Sequence, residues 1–155
     1  MLKVLVAAAF AISFAVPAHA RAEAVGTREE AVAMVKRVQQ KFQVEGAEAT
    51  FKAVSDATVA EFHDRDLYPF IYNLEGVSVA HGARPALIGK SLISMKDQDG
   101  KYLIQEMIGI AQGSGSGWID YKWPNPITSR IEDKTSYVER MGDYFVGVGI
   151  YHPGH

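Results

Sequence analysis

The spacing of apolar residues changes period at residues 64–67, and that change limits what this chain can fold into. Upstream, Ala31, Met34, Val35, Val38 and Phe42 recur at three- and four-residue steps, which gives a helix one apolar face. Downstream, Tyr68, Phe70 and Tyr72 alternate with Pro69, Ile71 and Asn73, a period of two rich in rings that fits a strand. A helical segment followed by a run of strands predicts an α+β domain.

Local signals sharpen the outline. Thr27-Arg28-Glu29-Glu30 forms a capping box, in which hydroxyl and carboxylate satisfy each other's backbone N–H groups, so the first helix starts there and runs to about Val44. Gly46 interrupts it, and residues 47–54 read as a second short helix whose Phe51 and Val54 face the same core. Asp64-Arg65-Asp66 marks the loop into the sheet. Glu75-Gly76 is a turn, and residues 77–81 return as the partner strand with Val77, Val79 and His81 on one face. Residues 82–90 carry Pro85 and Gly89 and read as loop. Asp97-Gln98-Asp99-Gly100 opens another helix, its aspartates read as caps and Leu103, Ile104, Met107, Ile108 and Ala111 as its apolar stripe. Glycines at 113, 115 and 117 stop it. Strands follow at 118–123, 134–141 and 144–151, separated by Pro124-Asn125-Pro126 with its loop and by Gly142-Asp143. The expected architecture is one antiparallel sheet of five strands, one face under the N-terminal helix and the other partly covered by residues 82–112.

Composition removes several function classes. The 16 Lys and Arg against 18 Asp and Glu, with no basic run, lack the clustered cations that phosphate backbones require, so nucleic acid is set aside. With no cysteine, disulfides, thiolate metal sites and a cysteine nucleophile are excluded. Residues 1–20 hold Lys3, an apolar run from Val4 to Val16 and the small-residue ending Ala18-His19-Ala20. That is the layout of a secretory signal peptide, with cleavage expected after Ala20 and release to the periplasm. The run is shorter than the about 20 apolar residues a membrane helix needs, and nothing later approaches that length. The expected division is a signal peptide over 1–20 and one domain over 21–155, with N-terminal helices in 21–62 and the sheet core in 67–151.

Seven segments occur in an order that resembles a known family. They are Tyr68-Pro69-Phe70-Ile71-Tyr72-Asn73-Leu74-Glu75-Gly76, Val79-Ala80-His81-Gly82, Leu87-Ile88-Gly89-Lys90, Asp97-Gln98-Asp99-Gly100-Lys101, Gly117-Trp118-Ile119-Asp120-Tyr121, Lys134-Thr135-Ser136-Tyr137-Val138 and Gly149-Ile150-Tyr151. Together they resemble the single Cache domains (sCache_2-like) of extracytoplasmic bacterial sensing. The resemblance implies a PAS-like five-stranded antiparallel sheet with a long N-terminal helix and a helical and loop cover on the other face. It also implies capture of a small organic anion, often a short carboxylate, under that cover. Family members usually sit between two membrane helices. This chain reads instead as a free-standing exported form, with a membrane-bound sensor or transporter as its candidate partner.

Six residues are candidates for the ligand site. His81 matches the family's Ala-His-Gly element and could donate an imidazole N–H to a carboxylate oxygen. Alternation places Ile119, Tyr121 and Trp123 on one face of their strand, and Tyr121 and Trp123 offer a flat apolar wall with one polar tip each. Lys134 recurs in the family's Lys-x-x-Tyr-Val element and would balance a bound carboxylate. Arg84 is the competing cation and Tyr72 a further hydroxyl donor. Bland readings stand beside each: core packing for the rings, a solvated surface for the lysine, ordinary hydrogen bonding for the histidine.

No catalytic or metal template fits. The calcium-loop pattern through Asp97, Asp99, Gly100 and Glu106 has Met95 at its first ligand position. The glycine run 113–117 lacks a nucleophile serine at its centre, and Trp118 occupies the last glycine position of a dinucleotide loop. His152 and His155 sit on a short Pro-Gly tail and are expected to dangle. The expectation is a non-enzymatic, cofactor-free ligand-binding domain contributing to signal transduction. Two alternatives stand: an interaction module docking a membrane sensor or enzyme with no ligand of its own, and a sensor still anchored through residues 1–20.

Overall fold

The computed structural model describes residues 25–152; the expected signal segment and His155 lie outside them. The first helix, α1 (Arg28–Ser55), starts at the capping box, with Thr27 Oγ1 accepting from Glu30 N–H at 3.2 Å and Glu30 accepting from Thr27 N–H at 2.8 Å. Its buried stripe is Ala31, Met34, Val35 and Val38, continued by Thr50 and Val54. The two expected helices form one kinked rod because Gly46 takes φ 84°, ψ 178°, left-handed on φ and costly for any residue with a Cβ.

The sheet contains β1 (Pro69–Asn73), β2 (Ser78–His81), β3 (Ser116–Pro124), β4 (Ile131–Met141) and β5 (Tyr144–His152), and a second helix, α2 (Leu103–Gln112), lies between β2 and β3. The spatial order is β2-β1-β5-β4-β3, antiparallel throughout. Among the described residues no helix is long and apolar enough to cross a membrane.

Each sheet face carries its own core. Under α1, Met34, Val35 and Val38 pack with Ile71, Ala80, Val146, Val148 and Ile150. Under α2, Leu103, Ile104, Met107 and Ala111 pack with Phe70, Tyr72, Tyr121, Trp123 and Phe145. Each large aliphatic side chain fully withdrawn from water contributes about 1.5–3 kcal/mol, and both helices are held by such stripes.

Two local expectations are corrected. A bulge breaks the alternation in β2: Ile71 pairs with Ala80 but Tyr72 pairs with Ser78, leaving Val79 as the extra residue. Val79 therefore packs on the α1 side while His81 stacks with Phe70 on the α2 side, so the two do not share a face. The aspartates before α2 are not its caps. Tyr102 holds the N-cap position with no side-chain bond. Asp97 Oδ1 instead accepts from the Asp99 and Lys101 N–H groups and its Oδ2 from Lys122 N–H. The carboxylate thus fastens the loop to the exposed edge of β3, where Lys101 Nζ also reaches the Asp120 carbonyl, and covers part of the side of β3 that faces away from β4.

Candidate functional site

The site begins with two missing side chains. On the α2 face of β5, a Cβ at Gly147 would overlap the Phe70 ring, and one at Gly149 would overlap Lys134 Cε and Ser136 Oγ. Glycine at both positions lets neighbouring side chains lie flat across β5. The Lys134 stem uses the gap at Gly149, which puts its ammonium inside the molecule.

Lys134 is 1 % exposed. Its Nζ sits 3.9 Å from the Tyr68 ring centroid, 4.6 Å from that of Tyr151 and 5.7 Å from that of Phe70, a cation held against aromatic faces. It donates to Tyr151 Oη at a long 3.4 Å and pairs with no carboxylate at ion-pair distance among the described residues. Burial pushes its pKa well below the usual lysine range, with Asp66 pulling weakly the other way. A buried ammonium has three protons to satisfy, and one long bond leaves most of that capacity unused.

His81 is equally buried, its ring stacked among Tyr68, Phe70 and Trp123. Nδ1 accepts from the Ala83 and Arg84 backbone N–H groups at 3.2 and 3.0 Å, which assigns the proton to Nε2. Burial, then Lys134 and Arg84, lowers its pKa to about 3. His81 is therefore a neutral donor; the stronger, protonated form considered from the sequence is disfavoured here.

The rings enclose these groups. Tyr121 is buried with its hydroxyl 2.9 Å from Ser136 Oγ; burial drives its pKa up, so it stays a neutral phenol. Trp123 stands edge-on to Tyr121, with the Arg84 guanidinium 5.8 Å above its face. Arg84 itself is exposed and sits at the rim. Tyr72 stacks on Phe145 at 5.6 Å and pairs across the strands with Ser78, whose buried Oγ has no hydrogen-bond partner among the described residues. Phe70, Tyr72, His81, Tyr121 and Trp123 meet Leu103, Ile104 and Met107 of α2 around a cavity of about 10 Å³. Four of the six expected residues line that cavity, Lys134 lies behind the ring layer, and Arg84 guards its edge.

Several contributors were not legible as such. Tyr68 and Tyr151 join hydroxyls at 2.7 Å, and Tyr151 Oη also donates to the Pro124 carbonyl at 2.8 Å. Phe70 and Met107 were read only as strand and helix packing. The Gly147-Val148-Gly149 alternation in an otherwise apolar strand was the one available sign that something crosses β5.

A larger hollow, about 440 Å³, opens where Asp97, Asp120, Lys122, Asp133, Thr135 and His152 approach one another, and Tyr121 and Lys134 border it as well. Several of its groups bond one another: Lys122 bonds Asp133 at 2.8 Å, and Thr135 Oγ1 donates to Asp120 at 2.6 Å and meets His152 Nε2 at 2.7 Å. His152 therefore belongs to β5 and is tied to β4; it does not dangle. Among the described residues no group of three or more acidic or histidine side chains could hold a metal ion.

Comparison with known proteins bears on this geometry. The sequence profile dCache_2, described as a Cache domain, matches residues 25–152. The methyl-accepting chemotaxis protein McpP of Pseudomonas putida is 32% identical over 91 residues, covering 57% of this chain and 17% of that protein. The sensor histidine kinase MctS of Rhizobium johnstonii is 31% identical over 106 residues, covering 67% of this chain and 23% of that protein. The chain thus spans about a fifth of the length of these relatives. A solved structure described as the structural basis for carboxylic acid recognition by a Cache chemosensory domain superposes with a TM-score of 0.62 at 24% identity, covering 79% of this chain and 86% of that one.

Proposed function

The chain belongs to the Cache-domain family, and on that footing we propose that it is an extracytoplasmic sensor domain whose α2-side cavity binds a short carboxylate without catalysis. One observation carries the reading: Lys134 is a buried amine that meets no carboxylate at ion-pair distance among the described residues. Charging an unpaired buried amine costs several kcal/mol, an arriving anion offsets that cost, and an amine kept beside a neutral N–H donor is arranged for an anion. In this reading Lys134 and His81 Nε2–H take the carboxylate oxygens, while Tyr121 and Trp123 enclose the carbon body. The chemotaxis and kinase relatives support a sensory role, and the carboxylic-acid description of one structural neighbour supports the ligand class. The proposal includes export to the periplasm with cleavage after Ala20, and a membrane-bound sensor or transporter as partner; intact-mass measurement of exported protein tests the cleavage.

A cavity of 10 Å³ holds about one water. Carboxylate entry therefore requires α2 to yield, and the flexible Met107 side chain is the piece best able to do so. The same small volume favours the second reading, an interaction module whose sheet face is filled by its own side chains. Calorimetry and thermal shift with acetate, propionate, lactate, pyruvate and amino acids separate the two. Heat and a raised Tm with at least one short acid are expected; silence from all of them overturns the carboxylate reading.

A further inference from the structure

The turn at residues 64–67 joins the site to the start of α1. Asp64 and Leu67 exchange backbone hydrogen bonds at 3.1 and 2.8 Å, and Arg65 between them holds φ 56°, a left-handed conformation that a side-chain-bearing residue keeps only when its surroundings impose it. Asp66, 1 % exposed, uses both carboxylate oxygens: Oδ1 accepts from Gly26 N–H at 2.6 Å and Oδ2 from Tyr151 N–H at 2.9 Å. On the outer side Arg65 donates to the Val25 carbonyl at 3.0 Å and to Glu30 at 2.7 Å. A Cβ on Gly26 would overlap the Leu67 side chain, so the chain entering α1 is pressed against this turn. At the other end, Tyr151 carries the hydroxyl to which Lys134 donates.

We propose that the turn at residues 64–67 is the relay by which occupancy of the Lys134 site reaches the entry to α1, with Asp66 as its positioning residue. The relay rests on the carboxylate reading for its trigger. An anion that claims the Lys134 ammonium withdraws it from Tyr151 Oη. Tyr151 then resettles at the end of β5, and its backbone N–H is fixed to the carboxylate that also holds Gly26. A buried carboxylate bonded at both oxygens cannot follow one partner without disturbing the other.

Hydrogen exchange at the Gly26, Thr27 and Tyr151 amides tests this in the full exported chain, with and without saturating acetate or propionate, and in ligand-free Lys134→Met. In the wild type, ligand should change exchange at Gly26 by about fivefold or more, the scale of an ordinary coupling between sites. Lys134→Met should move the same amide without ligand. Asp66→Asn, which can no longer accept at both ends, should abolish both changes at Gly26. Should that variant fail to fold, Arg65→Gly keeps the left-handed turn, removes the outer bonds, and should reduce the change at Thr27. A probe that binds while Gly26 is unmoved overturns the relay, as does a Lys134→Met response confined to Tyr151 or absent. An unreduced Thr27 response in Arg65→Gly overturns the role of the turn. If no acid binds while Lys134→Met still moves Gly26, the carboxylate reading fails and the relay stands.

Discussion

The two faces of one sheet have been built for opposite ends. The α1 face presents Ile71, Ala80, Val146, Val148 and Ile150 to a helix stripe of Ala, Met and Val, aliphatic groups with no hydrogen bonds to satisfy. The α2 face presents four tyrosines, a tryptophan, a histidine and a lysine, all buried, with two glycines beneath them. The first arrangement gains free energy from each contact. The second gives some back, because each buried polar group must recover the water it lost. That asymmetry is the reason the proposed site is placed on the α2 face, as expected when a site must change on binding.

The comparison can be broken by substitution. Met34→Ala on the α1 face should cost about 2–5 kcal/mol of stability and leave acetate or propionate affinity unchanged; chemical denaturation and calorimetry read the two quantities, and a parallel loss of affinity would show that the faces are not separable. Acid should act through the other face. The folded pKa of His81, about 3, lies below its ordinary value, so the unfolded chain binds the extra proton. Stability held above pH 6.5 is then lost as pH falls towards 3, by at most about 1.4 kcal/mol per pH unit from this residue. His81→Gln keeps an acceptor for the Ala83 and Arg84 N–H groups and has nothing to titrate, so its stability profile should be flatter over that window.

Lys134→Met should separate binding from stability. Losing the charge partner weakens a carboxylate by about 10- to 100-fold, the worth of a hydrogen bond to a charged group, while the unliganded domain melts at higher temperature because a buried amine with one long hydrogen bond is gone. A lower Tm would mean that the lysine is structural. The smallest effect belongs to Tyr121→Phe, about 1 kcal/mol in stability for the lost bond to Ser136, with the ring wall and most of the affinity retained.

How far the sequence could be read depended on the range of the interactions involved. The α1 stripe, its capping box, the Gly46 break and the α2 stripe are set by residues three or four apart, and each is where the spacing placed it. So is the Ile119, Tyr121, Trp123 face of β3. The bulge at Val79 was hidden because it depends on how β1 and β2 align, which their own spacing does not state. Asp97 looked like a cap because acidic residues before a helix usually are; its partner Lys122 stands 25 residues away. For the proposed site, the rings and the lysine named from the sequence are brought to one face of the sheet. Nothing in the sequence signalled that Tyr68 and Tyr151 meet across 83 residues.

What the sequence determined alone is the order and kind of the elements and which side chains are apolar enough to be inside, because those follow from short-range periodicity and transfer from water. Only the tertiary structure decided that Lys134 lies across Gly149 with no carboxylate partner among the described residues, that His81 turns towards the rings, and that Asp66 ties the start of α1 to the end of β5. Each of those depends on strands distant in the chain being brought into one register, and register is a property of the assembled sheet.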